Sequence, residues 1–116
     1  MPLVKVQTSA PLEEGARDGL ILALSRRTAD ILGKPESRVM VVLEPHTAMS
    51  MSGTLGSAAF FEVRSVGEVS PDAAKRLASE LTTVIGDSLG IKSDRIFGNF
   101  AAWQGGLWAY AGAPLR

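Results

Sequence analysis

The chain repeats itself, and that repeat narrows its fold more than any other feature. Leu32-Gly33 and Leu89-Gly90 lie 57 positions apart (89 − 32). At the same offset Arg38-Val39 meets Arg95-Ile96, Leu20 meets Leu77, Leu24 meets Leu81 and Val6 meets Val63. Several coincidences at one offset mark a duplicated unit. The pattern within each copy reads β-α-β.

The first copy opens with Leu3 to Thr8, where Leu3, Lys5 and Gln7 alternate with Val4, Val6 and Thr8 as a strand does. From about Glu13 to Leu32 the period becomes helical, with Leu20, Ala23, Leu24 and Ile31 on one face. Gly33 is a natural helix stop, with Pro35 just beyond. Arg38 to Leu43 is a mostly apolar run, hence a buried strand, and Pro45 ends it. A loop rich in Ser, Thr, Met and Gly covers His46 to Ser57.

The second copy starts with a strand, Ala58 to Val66. Ser70-Pro71-Asp72 then opens a helix. Serine suits the N-cap, proline the first turn and aspartate the positive end of the dipole. Leu77, Ala78, Leu81, Val84 and Ile85 form its apolar stripe and Gly90 stops it. Ile96 to Ala101 reads as a fourth strand and Leu107 to Tyr110 as a short fifth.

Two right-handed β-α-β units in one chain predict an α+β fold with a four-stranded mixed sheet and both helices on one face. Residues 1–116 make one domain of this kind. The other sheet face stays bare. Val39, Met40, Val41 and Val42 leave neither face of their strand polar. A bare apolar face predicts self-association.

Composition supports that expectation. A chain of 116 residues that is 46% hydrophobic packs a core, but a small one. It has no cysteine, which excludes a disulfide, a thiolate metal site and a cysteine nucleophile. Oligomerisation is the remaining common route to more buried surface. Twelve Lys and Arg balance twelve Asp and Glu, so there is no cationic excess for sequence-independent nucleic-acid binding. No lysine-rich amphipathic helix suits a membrane surface. No apolar run reaches the roughly 18–20 residues of a transmembrane helix. The opening Met1 to Val6 lacks the basic and apolar regions of a signal peptide, so a cytoplasmic location is the expectation.

Few residues offer chemistry. The only histidine, His46, has no evident serine or carboxylate relay, which argues against a hydrolase triad. Metal ligands do not cluster, and no glycine-rich phosphate loop joins a strand to a helix. No metal and no cofactor is expected. Pro2 is the unusual candidate. Removal of Met1 leaves a secondary amine on a rigid ring, running straight into a strand. An α-amino group titrates at about 7.7–8.0, and an apolar pocket or a nearby cation lowers it further. A neutral amine near pH 7 is what a general base requires. A frayed terminus is the commoner meaning of such a dipeptide.

Three other residues have two readings each. Lys34, after the first helix, is a solvated helix-end lysine or a carboxylate anchor. Asn99, in mid-strand where asparagine is disfavoured, is buried and paired or aimed at a ligand. Trp108 is a core aromatic or a pocket wall.

The ordered set Met1-Pro2, Thr8, Pro11, Gly33-Lys34-Pro35, Ser65-Val66-Gly67, Asp94-Arg95-Ile96-Phe97-Gly98-Asn99 and Trp108 resembles the macrophage migration inhibitory factor family of the tautomerase superfamily. The resemblance runs over essentially the whole length. It implies a homotrimer whose three sheets form a barrel, with an active site at each subunit interface. It implies Pro2 as the catalytic base, moving a proton between carbon and enol oxygen of a 2-keto acid such as phenylpyruvate. Lys34 matches the substrate-carboxylate position, Val66 one that binds through its backbone, and Asn99 a contact from the neighbouring subunit. Phe97 stands where animal members often carry tyrosine, so that wall is apolar and lacks one hydroxyl. The stretch between Asn99 and Trp108 is about two residues shorter, and the tail Ala109 to Arg116 departs from the family. Ala58 and Phe61 replace a cysteine pair associated with thiol–disulfide activity in animal relatives, so that activity is expected to be absent.

Three hypotheses follow. The first is a keto–enol tautomerase of aromatic 2-keto acids, with dopachrome-like compounds as further substrates. The second is a cytokine-like or immune-modulating binding protein with a vestigial pocket, a role consistent with family members exported without a signal peptide. The third is a ferredoxin-like domain with an unrelated ligand, which predicts monomers or dimers rather than trimers.

Overall fold

The computed structural model describes all 116 residues. The first half contains β1 (Leu3–Thr8), α1 (Glu14–Leu32) and β2 (Met40–Glu44). The second contains β3 (Ala59–Val66), α2 (Pro71–Leu89) and β4 (Ile96–Trp103), followed by the small strands β5 (Ala109–Tyr110) and β6 (Ala113–Pro114). The four main strands form one sheet in the order β2-β1-β3-β4. β1 runs parallel to β2 and antiparallel to β3, and β3 runs parallel to β4, so the sheet is mixed as expected. No helix is long and apolar enough to cross a membrane.

The duplication governs the core. Leu20 and Leu24 of α1 and their counterparts Leu77 and Leu81 of α2 are all buried against Val4, Val6, Phe61 and Val63 of the sheet. Each such leucine contributes about 2 kcal/mol by leaving water. The helix ends match as well. Gly33 and Gly90 both adopt the left-handed conformation (φ 63° and 66°) that lets a backbone leave a helix without a Cβ clash. Ser70 caps α2 by accepting the N–H of Ala73 at 3.1 Å. α1 begins at Glu13 without any side-chain cap.

Thr28 of α1 stands 57 positions before Ile85 (85 − 28) and is as deeply buried, yet its hydroxyl has no hydrogen-bond partner. An unpaired buried hydroxyl costs about 1–3 kcal/mol of desolvation. Thr28→Val is therefore expected to be neutral or stabilising by about 1 kcal/mol in urea unfolding. A clear loss of stability would mean the hydroxyl is bonded after all.

The structure corrects four expectations. The strand drawn from Arg38 starts at Met40, because Glu36–Arg38 form a turn of 3-10 helix closed by Arg38 N–H donating to the Pro35 carbonyl at 2.9 Å. Ala78 faces solvent rather than joining the α2 stripe of Leu77, Leu81, Val84 and Ile85. The fifth strand is only Ala109–Tyr110, paired with Ala113–Pro114 across Ala111-Gly112. Both turn residues have positive φ (52° and 88°), as a two-residue hairpin turn favours.

The fourth correction concerns the bare sheet face. Val41 and Leu43 turn toward the core, and the centre of the open face is polar. There Lys5 pairs with Glu44 at 3.7 Å and Arg64 with Glu62 at 3.6 Å, while Asn99 lies opposite Glu62. Large exposed apolar groups sit instead on the two edge strands, Met40 (64% exposed) on β2 and Phe97 (65%) on β4. The run of apolar residues in β2 concealed this, because that strand lies at an edge and its faces meet different surroundings.

Candidate active site around Pro2

Pro2 is not frayed. Its side chain is fully buried, and its carbonyl accepts the N–H of Met40 at 3.0 Å just ahead of the β1–β2 ladder. Proline fits the head of a strand because the N–H it lacks has no ladder partner there. The same hydrogen bond draws the start of β1 against the turn that precedes β2. Three distant stretches thereby meet: the N-terminus, the Glu36–Arg38 turn and the C-terminal segment.

They enclose a pocket of about 300 Å³. Pro2, Leu3, Arg38, Met40, Trp108 and Tyr110 are among the residues that line it. Most of the wall is apolar, and no Asp or Glu lines it. The Arg38 guanidinium lies 5.7 Å from the centre of the Tyr110 ring, a cation–π contact.

The terminal amine at this pocket is held below its ordinary value of 8.0. Burial acts first, since a desolvated ammonium is costly; the charges of Lys34 and then Arg38 repel it further. That amine belongs to Met1, which is half-buried, whereas Pro2 behind it is fully buried.

The expected site residues are distributed as follows. Lys34 is exposed just after α1, its backbone N–H donating to the Ala29 carbonyl at 3.0 Å, and its charge reaches the terminal amine. Val66 ends β3 opposite Trp103 and lines a separate hollow of about 550 Å³ with Gly67, Gln104 and Arg116. That hollow is larger than the Pro2 pocket but holds no buried amine. Asn99 and Phe97 lie on β4, across β3 from β1, and Phe97 lines a third hollow of about 350 Å³ with Met49, Met51 and Phe60. Within one chain, then, the charge of Lys34 acts on the Met1 amine though Lys34 does not line the pocket, and neither Asn99 nor Phe97 is brought there.

Trp108 proves to be a pocket wall. Arg38, Ser37 and Tyr110 also line the site and were not predicted to. For Arg38 a partial signal existed: it matches Arg95 in the repeat, but only as an element boundary. Tyr110 lies in the tail where the family pattern gives no guidance.

Comparison with known proteins agrees with this architecture. The profile of the macrophage migration inhibitory factor family matches residues 1–115. A macrophage migration inhibitory factor homolog of Trichuris trichiura is 30% identical over 115 residues, covering 99% of this chain and 100% of the relative. A D-dopachrome decarboxylase of Gallus gallus is 39% identical over 69 residues, 60% of this chain and 58% of the relative. The crystal structure of a macrophage migration inhibitory factor homologue from Prochlorococcus marinus superposes with a TM-score of 0.93 at 31% identity, covering 98% of this chain and 99% of that one. A duplicated β-α-β sheet with a buried Pro2 at its head, matched over nearly its full length in sequence and in shape, places this chain in the macrophage migration inhibitory factor family of the tautomerase superfamily.

Proposed function

We propose that the chain is a keto–enol tautomerase of aromatic 2-keto acids, phenylpyruvate among them, in which Pro2 acts as general base once Met1 is removed. The observation that carries this reading is the burial of Pro2 in an apolar pocket whose terminal amine is depressed by desolvation, Lys34 and Arg38. Trimming transfers the terminal amine to Pro2, whose side chain is fully buried where Met1 is half-buried. Burial and nearby positive charge both disfavour the ammonium form of such an amine, which favours the neutral base. It takes a proton from the enol oxygen and delivers it to the adjacent carbon, or the reverse. Lys34 holds the substrate carboxylate, and the Trp108 wall takes the aryl group.

Completion of the site calls for a homotrimer. β2 and β4 are unpaired sheet edges carrying exposed Met40 and Phe97, which suits edge-to-edge closure of three sheets into a barrel. The polar stripe of Lys5, Glu62, Arg64 and Asn99 then faces a shared interior. Asn99 and Phe97 from a neighbouring subunit reach the Pro2 pocket, with the Val66 backbone supplying a further contact. We place the protein in the cytoplasm. The D-dopachrome relative motivates dopachrome as a second substrate to assay.

The test compares ketonisation of phenylpyruvate by protein with Met1 removed and with Met1 retained. The first is expected to be active and the second nearly inert, because a peptide-bonded Pro2 nitrogen has no basic lone pair. Equal rates sink the proposal. A stable but inactive trimer with its N-terminal proline free turns the case toward the cytokine-like reading.

The pH profile supplies another check. A protonated amine cannot act as base, so kcat/KM is expected to fall as pH drops through the pKa of the terminal amine. Lys34→Gln removes a repelling cation, which raises the amine pKa and moves this acid limb to higher pH. An unmoved limb would separate Lys34 from the base.

A further inference from the structure

Arg38 and Arg95 occupy equivalent places in the two halves, each closing a three-residue 3-10 turn ahead of a strand. Their guanidinium groups are used differently. That of Arg95 is taken up by three carbonyls of the loop before β3, Ser57 at 2.8 Å, Gly56 at 2.9 Å and Met51 at 3.4 Å. That of Arg38 lies over the Tyr110 ring in the pocket wall. The nearest acid in sequence, Glu36, turns instead toward α1, accepting from the Ser25 hydroxyl at 3.0 Å. With no acid in the lining, Arg38 is a cation left without an anion beside the proposed base.

One carboxylate does not satisfy such a site. In the tautomerase reading Lys34 anchors the carboxylate of a 2-keto acid, and Arg38, which lines the pocket where Lys34 does not, adds a second positive charge. A guanidinium offers a planar fork that matches a carboxylate with two parallel hydrogen bonds, and stacking on Tyr110 restrains its plane in advance. We infer that Arg38 binds a second anionic group, so that the pocket prefers 2-keto acids carrying a carboxylate at the far end over those ending in a neutral aryl ring. This rests on the tautomerase reading above and specifies its substrate class.

The experiment uses two enols of the same shape, phenylpyruvate and 4-carboxyphenylpyruvate, with wild type, Arg38→Gln and Arg38→Lys. In wild type, kcat/KM for the carboxylated enol is expected to be about tenfold higher, mainly through a lower KM, as one charge-assisted contact predicts. Arg38→Gln is expected to abolish that preference and Arg38→Lys to keep part of it. If Arg38 acts only on the amine, Arg38→Gln shifts the pH profile equally for both enols and leaves their ratio unchanged, which overturns the inference. Calorimetric binding of the non-reacting pair 3-(4-carboxyphenyl)propionate and 3-phenylpropionate separates the two proposals. Arg38-dependent preference for the dianion without turnover supports the inference and refutes the tautomerase reading alone. Turnover with no Arg38-dependent preference in either assay refutes the inference alone.

Discussion

Pro2→Ala is expected to lower kcat/KM for phenylpyruvate ketonisation by about 100-fold, the lower end of what a positioned general base contributes. Alanine also permits removal of Met1, so the variant keeps a free terminal amine. What it loses is the rigid secondary ring nitrogen. The proline ring is fully buried at the head of β1 and lines the pocket. A primary amine on alanine rotates freely and packs less well. The Met40 N–H to residue 2 carbonyl bond needs no proline side chain, so the strand should still form. Circular dichroism and sizing of the variant should match wild type while the rate falls. A rate within about threefold of wild type would show that the rigid ring nitrogen is not needed, since a misplaced base costs far more.

The largest expected effect on stability lies at Gly98, on the edge strand β4, where the backbone passes close against the buried Phe61 ring. Gly98 pairs with Phe61 across the parallel ladder. A Cβ placed on Gly98 would overlap the Phe61 ring. Phe61 is only 2% exposed and packs against Phe100 with ring centres 6.0 Å apart, so the ring has little room to yield. Overpacking of this kind costs about 1–3 kcal/mol. Gly98→Ala is therefore expected to lower Tm by roughly 10 °C, using about 4 °C per kcal/mol for a domain of this size. The comparison needs equal protein concentration, because association shifts Tm by mass action. Adding Phe61→Leu to Gly98→Ala should recover part of the loss by making space. If Gly98→Ala melts within about 2 °C of wild type, the ring and strand must rearrange at little cost.

The fold was legible because its signals are local. Each helix ends on a glycine with nothing but its own backbone to satisfy, and Ser70-Pro71-Asp72 states a helix start in three residues. The 57-residue offset then linked the two halves without any long-range information. Errors arose where a local pattern met a non-local environment. Val39 to Val42 look like a buried run, but β2 is an edge strand, and its neighbour β1 puts Lys5 and Gln7 on the open face. The 3-10 turn at Glu36–Arg38 displaced the strand start because Pro35 leaves its carbonyl free to accept the Arg38 N–H.

The candidate site divides along the same line. Pro2 could be named from its chemistry, since a terminal proline offers a basic secondary amine wherever it sits. Its burial could not, because that depends on the bond to Met40 and on the wall built by Trp108 and Tyr110. Arg38 and Tyr110 are far apart in sequence and in different elements, so no spacing rule joins them. By itself the sequence determined the two β-α-β units and their helix ends, and it singled out Pro2 as the candidate base. Only the tertiary structure decided that Pro2 is buried at an apolar pocket, that Arg38 lines that pocket while Arg95 is taken up by loop carbonyls, and that Asn99 and Phe97 lie across the sheet from it. The reason is physical: periodicity and caps act over one or two turns of chain, whereas desolvation and charge act between whatever groups the folded backbone brings together.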